Sequence, residues 1–193
     1  DLTITPRLYF NGDLMVQNEF RQVEKNYKNV IDFSLKKMND SEKSHLFSNS
    51  SINLNLSNFD YSNLEVNIES TSHDTYLKTD NIETQRDFSS NIMNSYLNFD
   101  ISKEDLDIAV EFKAYEDLSK TNKSDKFEYI YPNFIISKNL TTSLDSISNL
   151  NYQVSGSQRK YETNKTEQLL INDFTISSKS YFSKFGFKND YDL

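Results

Sequence analysis

Apolar and polar residues alternate with a period of two through nearly the whole chain, and this pattern narrows the possible folds more than any other feature. A period of two belongs to an extended strand, whose successive side chains point to opposite faces of a sheet. Leu2, Ile4, Pro6, Leu8 and Phe10 lie on one side of the first segment, with Asp1, Thr3, Thr5, Arg7 and Tyr9 on the other. Asn11-Gly12-Asp13 predicts a tight hairpin turn, since an Asn-Gly step readily takes positive φ angles. Leu14 to Glu24 predicts a second strand and Asn26 to Asn29 a turn. Ile31, Phe33 and Leu35 then alternate with Asp32 and Ser34 before a polar stretch from Asn39 to Ser44. Further on, Ile52, Leu54 and Leu56 alternate with Asn53, Asn55 and Ser57, and Leu64, Val66 and Ile68 with Glu65, Asn67 and Glu69. His73 to Asp87 is polar and irregular and predicts a longer loop.

The second half repeats the theme. Leu97, Phe99 and Ile101 alternate with Asn98 and Asp100, and Leu106, Ile108, Val110, Phe112 and Ala114 face away from Asp107, Glu111 and Lys113. Phe127 to Ser137, Ser146 to Ser155, Leu169 to Ser178 and Tyr181 to Tyr191 complete the strands, with polar connections at Ser119 to Lys126 and Gly156 to Lys165. The sum is an all-β, antiparallel up-and-down meander of about ten or eleven strands joined mostly by hairpin-length connections. Residues 1–193 read as part of a single domain. Asp1-Leu2-Thr3-Ile4 already reads as mid-strand, which suggests a piece of a longer chain.

Alternating strands need an apolar environment on one face and a polar or wet one on the other. A β-sandwich supplies this by covering one sheet with another; an outer-membrane barrel supplies it with lipid outside and a polar lumen inside. Many of these strands run toward the ~9 to ~11 residues that cross a hydrocarbon layer at a tilt, longer than the usual ~5 to ~6 of other sheets. Barrel, sandwich and elongated surface β-protein all remain open on pattern alone.

Composition removes other classes. A net charge of -8 and a pI near 4.8 argue against nucleic acid as a partner, because phosphates call for a basic face. The absence of Cys excludes disulfide frameworks, thiolate metal sites and thiol catalysis, and only 3 Gly argue against a glycine-rich phosphate loop. Hydrophobic residues are only 36%, yet 14 Phe and 12 Tyr are more than a disordered chain usually carries.

Little here suggests covalent chemistry. Ser72-His73-Asp74 contains the residue types of a catalytic triad, but three consecutive residues point in different directions and predict an ordinary polar loop. His45 and His73 are the only histidines and show no metal-ligand spacing. Asp105 and Asp107 would share one strand face, without the Gly and distal Glu of a calcium loop. The glycosylation-like triplets at Asn49, Asn122, Asn139 and Asn164 carry no weight in a chain this rich in Asn and Ser. Arg7, Glu19, Arg21 and Glu24 could pair across a lumen, and Tyr9, Phe10, Tyr61, Tyr96, Tyr115, Tyr129 and Tyr131 could form an aromatic girdle or simply pack in a sheet. No enzymatic activity and no cofactor are expected.

The run Asp1-Leu2-Thr3-Ile4-Thr5-Pro6-Arg7-Leu8-Tyr9 resembles an early barrel strand, of the form D-x-T-x-T-P, in the LPS-assembly protein (LptD, organic solvent tolerance protein) family. Glu19-Phe20-Arg21 is similar to that family's E-[FY]-R in the following strand. His45-Leu46-Phe47, Ser72-His73-Asp74-Thr75-Tyr76-Leu77 and Tyr131-Pro132 resemble later stations; Asn172-Asp173, Ser180 and Gly186 are looser matches. The positions carrying the resemblance are Asp1, Pro6, Arg21, Asp74, Tyr76, Leu77 and Pro132. It spans most of the chain in order, in short stations.

The resemblance implies part of a roughly 26-stranded barrel in the Gram-negative outer membrane, since ten or eleven strands are too few to close it. Such a barrel transports lipopolysaccharide into the outer leaflet. Implied partners are an LptE-like lipoprotein plug, lipopolysaccharide, outer-membrane lipids and, through an N-terminal periplasmic domain, an LptA-like bridge. The lumen is expected to be lined by Thr3, Thr5, Arg7, Glu19, Arg21, Asn53, Asn55, Glu65 and Asn67, with Leu2, Ile4, Leu54, Leu64 and Val66 toward lipid; these facings rest on parity alone. Pro6, which cannot donate to a strand ladder, is the candidate residue for easing lateral opening of the seam. The rival readings are a small porin-like outer-membrane barrel and an adhesin-like surface β-protein.

Overall fold

The computed structural model describes residues 1–39, 41–84, 91–141 and 148–192. Ten strands follow one another in an antiparallel meander, each hydrogen-bonded to its neighbours in sequence. They are β1 (Leu2–Leu8), β2 (Leu14–Glu24), β3 (Tyr27–Lys37), β4 (Glu42–Asn53), β5 (Tyr61–Thr71), β6 (Ile92–Lys103), β7 (Leu106–Asp117), β8 (Phe127–Leu140), β9 (Ser148–Tyr161) and β10 (Thr166–Ser178). Two single-turn helices interrupt the connections, α1 (Tyr76–Thr79) and α2 (Lys123–Lys126). Apart from β1, the strands of this sheet are 11 to 14 residues long. Among the described residues the sheet does not close: β1 pairs only with β2, and β10 pairs along its length only with β9.

The register explains why the alternation is so regular. Thr3 opposes Glu19, Thr5 opposes Gln17 and Arg7 opposes Met15; the same face continues through Asp32, His45, Asn49, Asn67, Asn98 and Glu111. On the opposite face Phe20 meets Ile31, Phe33 meets Leu46, Val66 meets Leu97, Leu97 meets Phe112, and Val110 meets Phe134. Apolar side chains thus form continuous rows across the sheet, the contacts that stabilise strand pairs. The ladder puts Thr3, Thr5, Arg7, Glu19, Arg21, Asn53, Glu65 and Asn67 on the polar face, and Leu2, Ile4, Leu64 and Val66 on the apolar one.

Several expectations need correcting. Asn55 and Leu54 have no strand face, because β4 ends at Asn53 and Asn55 turns the chain with φ 48°. The expected strand Tyr181 to Tyr191 is instead a small separate hairpin, β11 (Tyr181–Phe182) and β12 (Lys188–Asn189), closed by a turn with Gly186 at φ 83°. Asp105 lies in the β6–β7 turn rather than on a strand face with Asp107. Gly156 to Tyr161 is strand, not connection, because cross-strand pairs such as Ser157 with Leu169 and Arg159 with Glu167 carry the ladder onward. At the first hairpin only Gly12, at φ 88°, enters the left-handed region, and the turn is closed by Gly12 N–H donating to the Tyr9 carbonyl at 2.9 Å. Parts of three expected segments lie outside the described residues: Asp40 of the polar stretch after β3, Gln85 to Asp87 of the long loop, and Ser146 with Ile147 of the ninth strand.

Fully buried apolar residues are few. Met15, Phe47, Tyr76, Leu77, Ile82 and Met93 form one cluster, with Tyr9 and Leu118 packed against it. Half of that cluster comes from residues 76–82, in the connection between β5 and β6 that the sequence pattern leaves as a polar loop. This connection lies back over the sheet, and its contacts build the site described next.

Candidate functional site

The first part of the β5–β6 connection, residues 72–84, forms a strap across β1 to β4 and is fastened to all four strands. Ser34 on β3 stands opposite His45 on β4, and their side chains meet at 2.7 Å, Ser34 Oγ to His45 Nδ1. Strand geometry places Asp32 two residues along on the same face of β3, where its Oδ1 lies 3.2 Å from His45 Nε2. Ser34 Oγ also shares a hydrogen bond with the Tyr76 hydroxyl of the strap at 2.8 Å. On β2, Gln17 Nε2 donates to Asp32 Oδ1 at 3.0 Å and to the Glu83 carbonyl at 2.8 Å, joining the strap's far end to the same chain of contacts. His45 stacks obliquely on Phe47, with ring centroids 4.7 Å apart.

A second set of contacts is ionic. Lys36 Nζ lies 2.5 Å from Asp80 Oδ1 on the strap and 3.5 Å from Asp13 Oδ2, and sits 4.0 Å from the centroid of the Tyr9 ring. Arg7 on β1 donates from Nη1 to the strap carbonyls of Asp80 at 3.3 Å and Asn81 at 3.0 Å. Asn81 adopts a φ of 46°, which turns the chain at that point; Asn is among the residues that tolerate this region best. Burial raises the Tyr76 phenol above its ordinary value, the hydrogen bond from Ser34 only partly opposing it. Burial also raises Tyr9, with the Asp80 carboxylate adding to the effect. At the strap's start, Asp74 pairs with Lys126 of α2 at 2.7 Å; Lys126 also reaches Glu116 at 3.0 Å, and these carboxylates hold its ammonium above the usual lysine value.

Ser34, His45 and Asp32 are therefore a Ser-His-Asp set in distance, assembled across two strands rather than along one. With the strap in place Ser34 is only 1% exposed and its oxygen is already shared with Tyr76. A nucleophile must present its oxygen to a carbonyl, whereas this serine links sheet to strap. The triplet Ser72-His73-Asp74 forms no relay: Ser72 Oγ reaches His73 Nδ1 at 3.0 Å on the surface, while Asp74 is turned away to Lys126. Among the described residues no three His, Cys, Asp or Glu side chains gather as a metal-ligand set. Beside the strap, a cleft of about 230 Å³ opens on the polar face between Asp32, Phe47, Asn49, Asn67 and Glu69.

The residues singled out from the sequence are distributed unevenly about this site. Arg7, Tyr76 and Leu77 belong to it, and Asp74 anchors the strap's start. Asp1 and Arg21 exchange backbone hydrogen bonds at the end of the first hairpin, where Arg21 also pairs with Glu19 at 2.5 Å. Pro132 lies in β8 where the pairing register shifts between Ile130 and Asn133. Tyr129 and Tyr131 sit with ring centroids 6.5 Å apart beside that shift, whereas Tyr9 belongs to the strap site and not to a girdle. Gln17, Asp32, Ser34, Lys36 and Asp80 are the site residues that sequence reasoning missed, and it named His45 only as a station of the resemblance and a histidine without metal-ligand spacing. The available signal was three apolar residues, Tyr76, Leu77 and Ile82, inside an otherwise polar loop.

The fold and site together define an all-β protein, a ten-stranded antiparallel meander with one apolar and one polar face and a strap docked on the polar one. Compared with known proteins, the chain matches no family model and no curated sequence.

Proposed function

We propose that the chain is part of a β-barrel in the outer membrane of a Gram-negative bacterium, and that this barrel transports lipopolysaccharide into the outer leaflet. The observation that carries the membrane placement is an inversion of burial. Phe33, Leu46, Leu97 and Phe112 are 44%, 42%, 38% and 42% exposed, while the polar Asp32, Ser34 and His45 on the other face are 4%, 1% and 3% exposed. In water a contiguous apolar surface of that kind is a liability; in a bilayer it is the required outer surface of a barrel. A sandwich would lay a second sheet over this face, and the only other sheet among the described residues is the two-stranded hairpin of β11 and β12.

Lipopolysaccharide as the cargo rests on the resemblance of the D-x-T-x-T-P strand and the stations after it. In this reading Thr3, Thr5, Arg7, Glu19, Arg21, Asn53, Glu65 and Asn67 line the lumen, where an LptE-like plug would also sit. Pro6 lies on the edge strand. Alternate pairs from Asp1–Arg21 to Tyr9–Asp13 are the hydrogen-bonded ones, so the Pro6–Val16 pair lies between them and the proline nitrogen points to the free edge. There it removes one rung from whatever strand pairs with that edge, which would ease its separation. The driving free energy would come from elsewhere, through the LptA-like bridge.

A photo-crosslinking residue at Glu65 is expected to capture lipopolysaccharide in cells, and one at Val66 to capture phospholipid. Phospholipid at Val66 with no lipopolysaccharide at Glu65 would leave a barrel with another cargo. The porin-like barrel is the second reading, and the strap across the polar face favours it.

A further inference from the structure

We propose that residues 72–84 are a displaceable gate, a strap that closes the β1 to β4 part of the polar face and releases from it as one unit. The lumenal position of the strap rests on the barrel reading; its release does not. The argument comes from the kind of contacts that hold it. Every strand beneath contributes, Arg7 from β1, Gln17 from β2, Ser34 and Lys36 from β3, and Ser44 from β4, whose backbone N–H donates to the Ser72 hydroxyl at 2.8 Å. The hydrogen-bonded ones run in series from Tyr76 through Ser34, His45, Asp32 and Gln17 to Glu83, so loss of one weakens its neighbours. Arg7 and Lys36 hold the same strap between those two ends, at Asp80 and Asn81.

The same contacts suit release. A buried ion pair contributes little net stability because the attraction offsets two desolvated charges. When the strap lifts, Lys36, Asp80 and Asp13 regain water together, and so do Ser34, His45 and Asp32. A loop glued only by apolar contacts would instead expose an apolar floor on opening. Here the floor carries Met15, Phe47 and Met93, with Tyr9 and Leu118 beside them, but is otherwise polar and continuous with the cleft between Asn49, Asn67 and Glu69. Release therefore converts a closed polar surface into an open one suited to a hydrated or polyhydroxylated solute.

The chain contains no cysteine, so single engineered thiols report without background. Leu77→Cys, in the middle of the strap, and Ile82→Cys, near its far end, are compared with Thr163→Cys in the exposed β9–β10 turn for alkylation by a charged maleimide. The full chain is folded in detergent micelles and then transferred to phospholipid vesicles. Both strap thiols should react at least 100-fold more slowly than the control. Asp80→Asn should then accelerate both by the same factor, 10-fold or more, although it breaks the ionic contact alone. In place of Asp80→Asn, a Lys36→Cys, Asp80→Cys pair oxidised to a disulfide should keep labelling at Leu77→Cys and Ile82→Cys, read by peptide mapping, at its slow level, and reduction should raise it. Acceleration at Ile82→Cys alone, or strap thiols as reactive as the control in the parent, would overturn unit release. Should Asp80→Asn fail to fold, unequal acceleration by Lys36→Met decides the same point. Failure of the barrel reading is read separately, as a chain that does not float with the vesicles; that result removes the gate from a lumen, whatever the thiol rates.

Discussion

Gly156 shows how tightly neighbouring strands constrain single residues on the apolar face. A Cβ built there would stand 2.7 Å from a Phe134 ring carbon and 3.2 Å from the Leu169 carbonyl oxygen. The ring of Phe134 occupies the space that a side chain at 156 would take, so the strand beside the glycine fills the gap that its missing side chain leaves. Gly156→Val should therefore destabilise by about 1–3 kcal/mol through overpacking, read as a lower denaturant midpoint, and Phe134→Leu should recover part of the loss. Tyr76 gives a second test at this scale. Its folded pKa lies above the ordinary 10.0, so the protonated phenol binds more strongly in the folded state. That contribution is complete below pH 10.0 and declines as pH rises through the raised value. In an alkaline titration of phenolate absorbance, Tyr76 and Tyr9 should ionise after the exposed tyrosines. Tyr76→Phe should reduce that late component, leaving the part due to Tyr9, and lower stability by about 1 kcal/mol for the lost Ser34 hydrogen bond.

Among the elements, β1 and the strap differ most in how far the sequence revealed them. β1 was legible because its alternation runs unbroken into Gly12, and the ladder reproduces that parity from Leu2 to Leu8. Since its hydrogen bonds to β2 fall on the alternate residues, Pro6→Ala should leave stability within about 1 kcal/mol of the parent. It should also restore an outward N–H and increase pairing through the exposed edge. Unchanged lipopolysaccharide export in that variant would remove the proposed role of Pro6 in lateral opening, and unchanged self-association would remove its effect on the edge. The strap was not legible, because its stability comes from partners far away in sequence: Asp80 is 44 residues from Lys36, and Tyr76 is 42 from Ser34. Period-two reasoning assigns Asp32, Ser34 and His45 to a polar face but cannot say that this face is covered. It also fails where the register shifts, between Ile130 and Asn133 in β8, so that Ile130 and Ile135 come to share a face despite opposite parity. In the tail, alternation from Tyr181 to Tyr191 imitated a strand, yet a turn at Gly186 divides it into two short pieces.

For the whole molecule, the decisive question is which solvent touches the apolar face, and adjacent residues of β6 answer it with opposite signs. Leu97 lies between Val66 and Phe112 on the apolar face; Asn98 lies between Glu65 and Glu111 on the polar one. An arginine at position 98 gains two carboxylate neighbours and keeps its charge on the polar face, so Asn98→Arg should be tolerated whether that face lines a lumen or meets bulk water. An arginine at position 97 separates the two environments. If lipid covers the face, Leu97→Arg should cost roughly 2–4 kcal/mol near the bilayer midplane, seen as poorer folding into vesicles and a lower urea midpoint from them. If water covers it, the same change replaces a side chain that is already 38% exposed, breaks an apolar patch and should reduce aggregation with little loss of stability. Folding yields of the two variants with and without vesicles therefore separate the outcomes. A Leu97→Arg chain that folds as well as Asn98→Arg in vesicles, and stays dispersed better than the parent without them, would take this sheet out of the membrane.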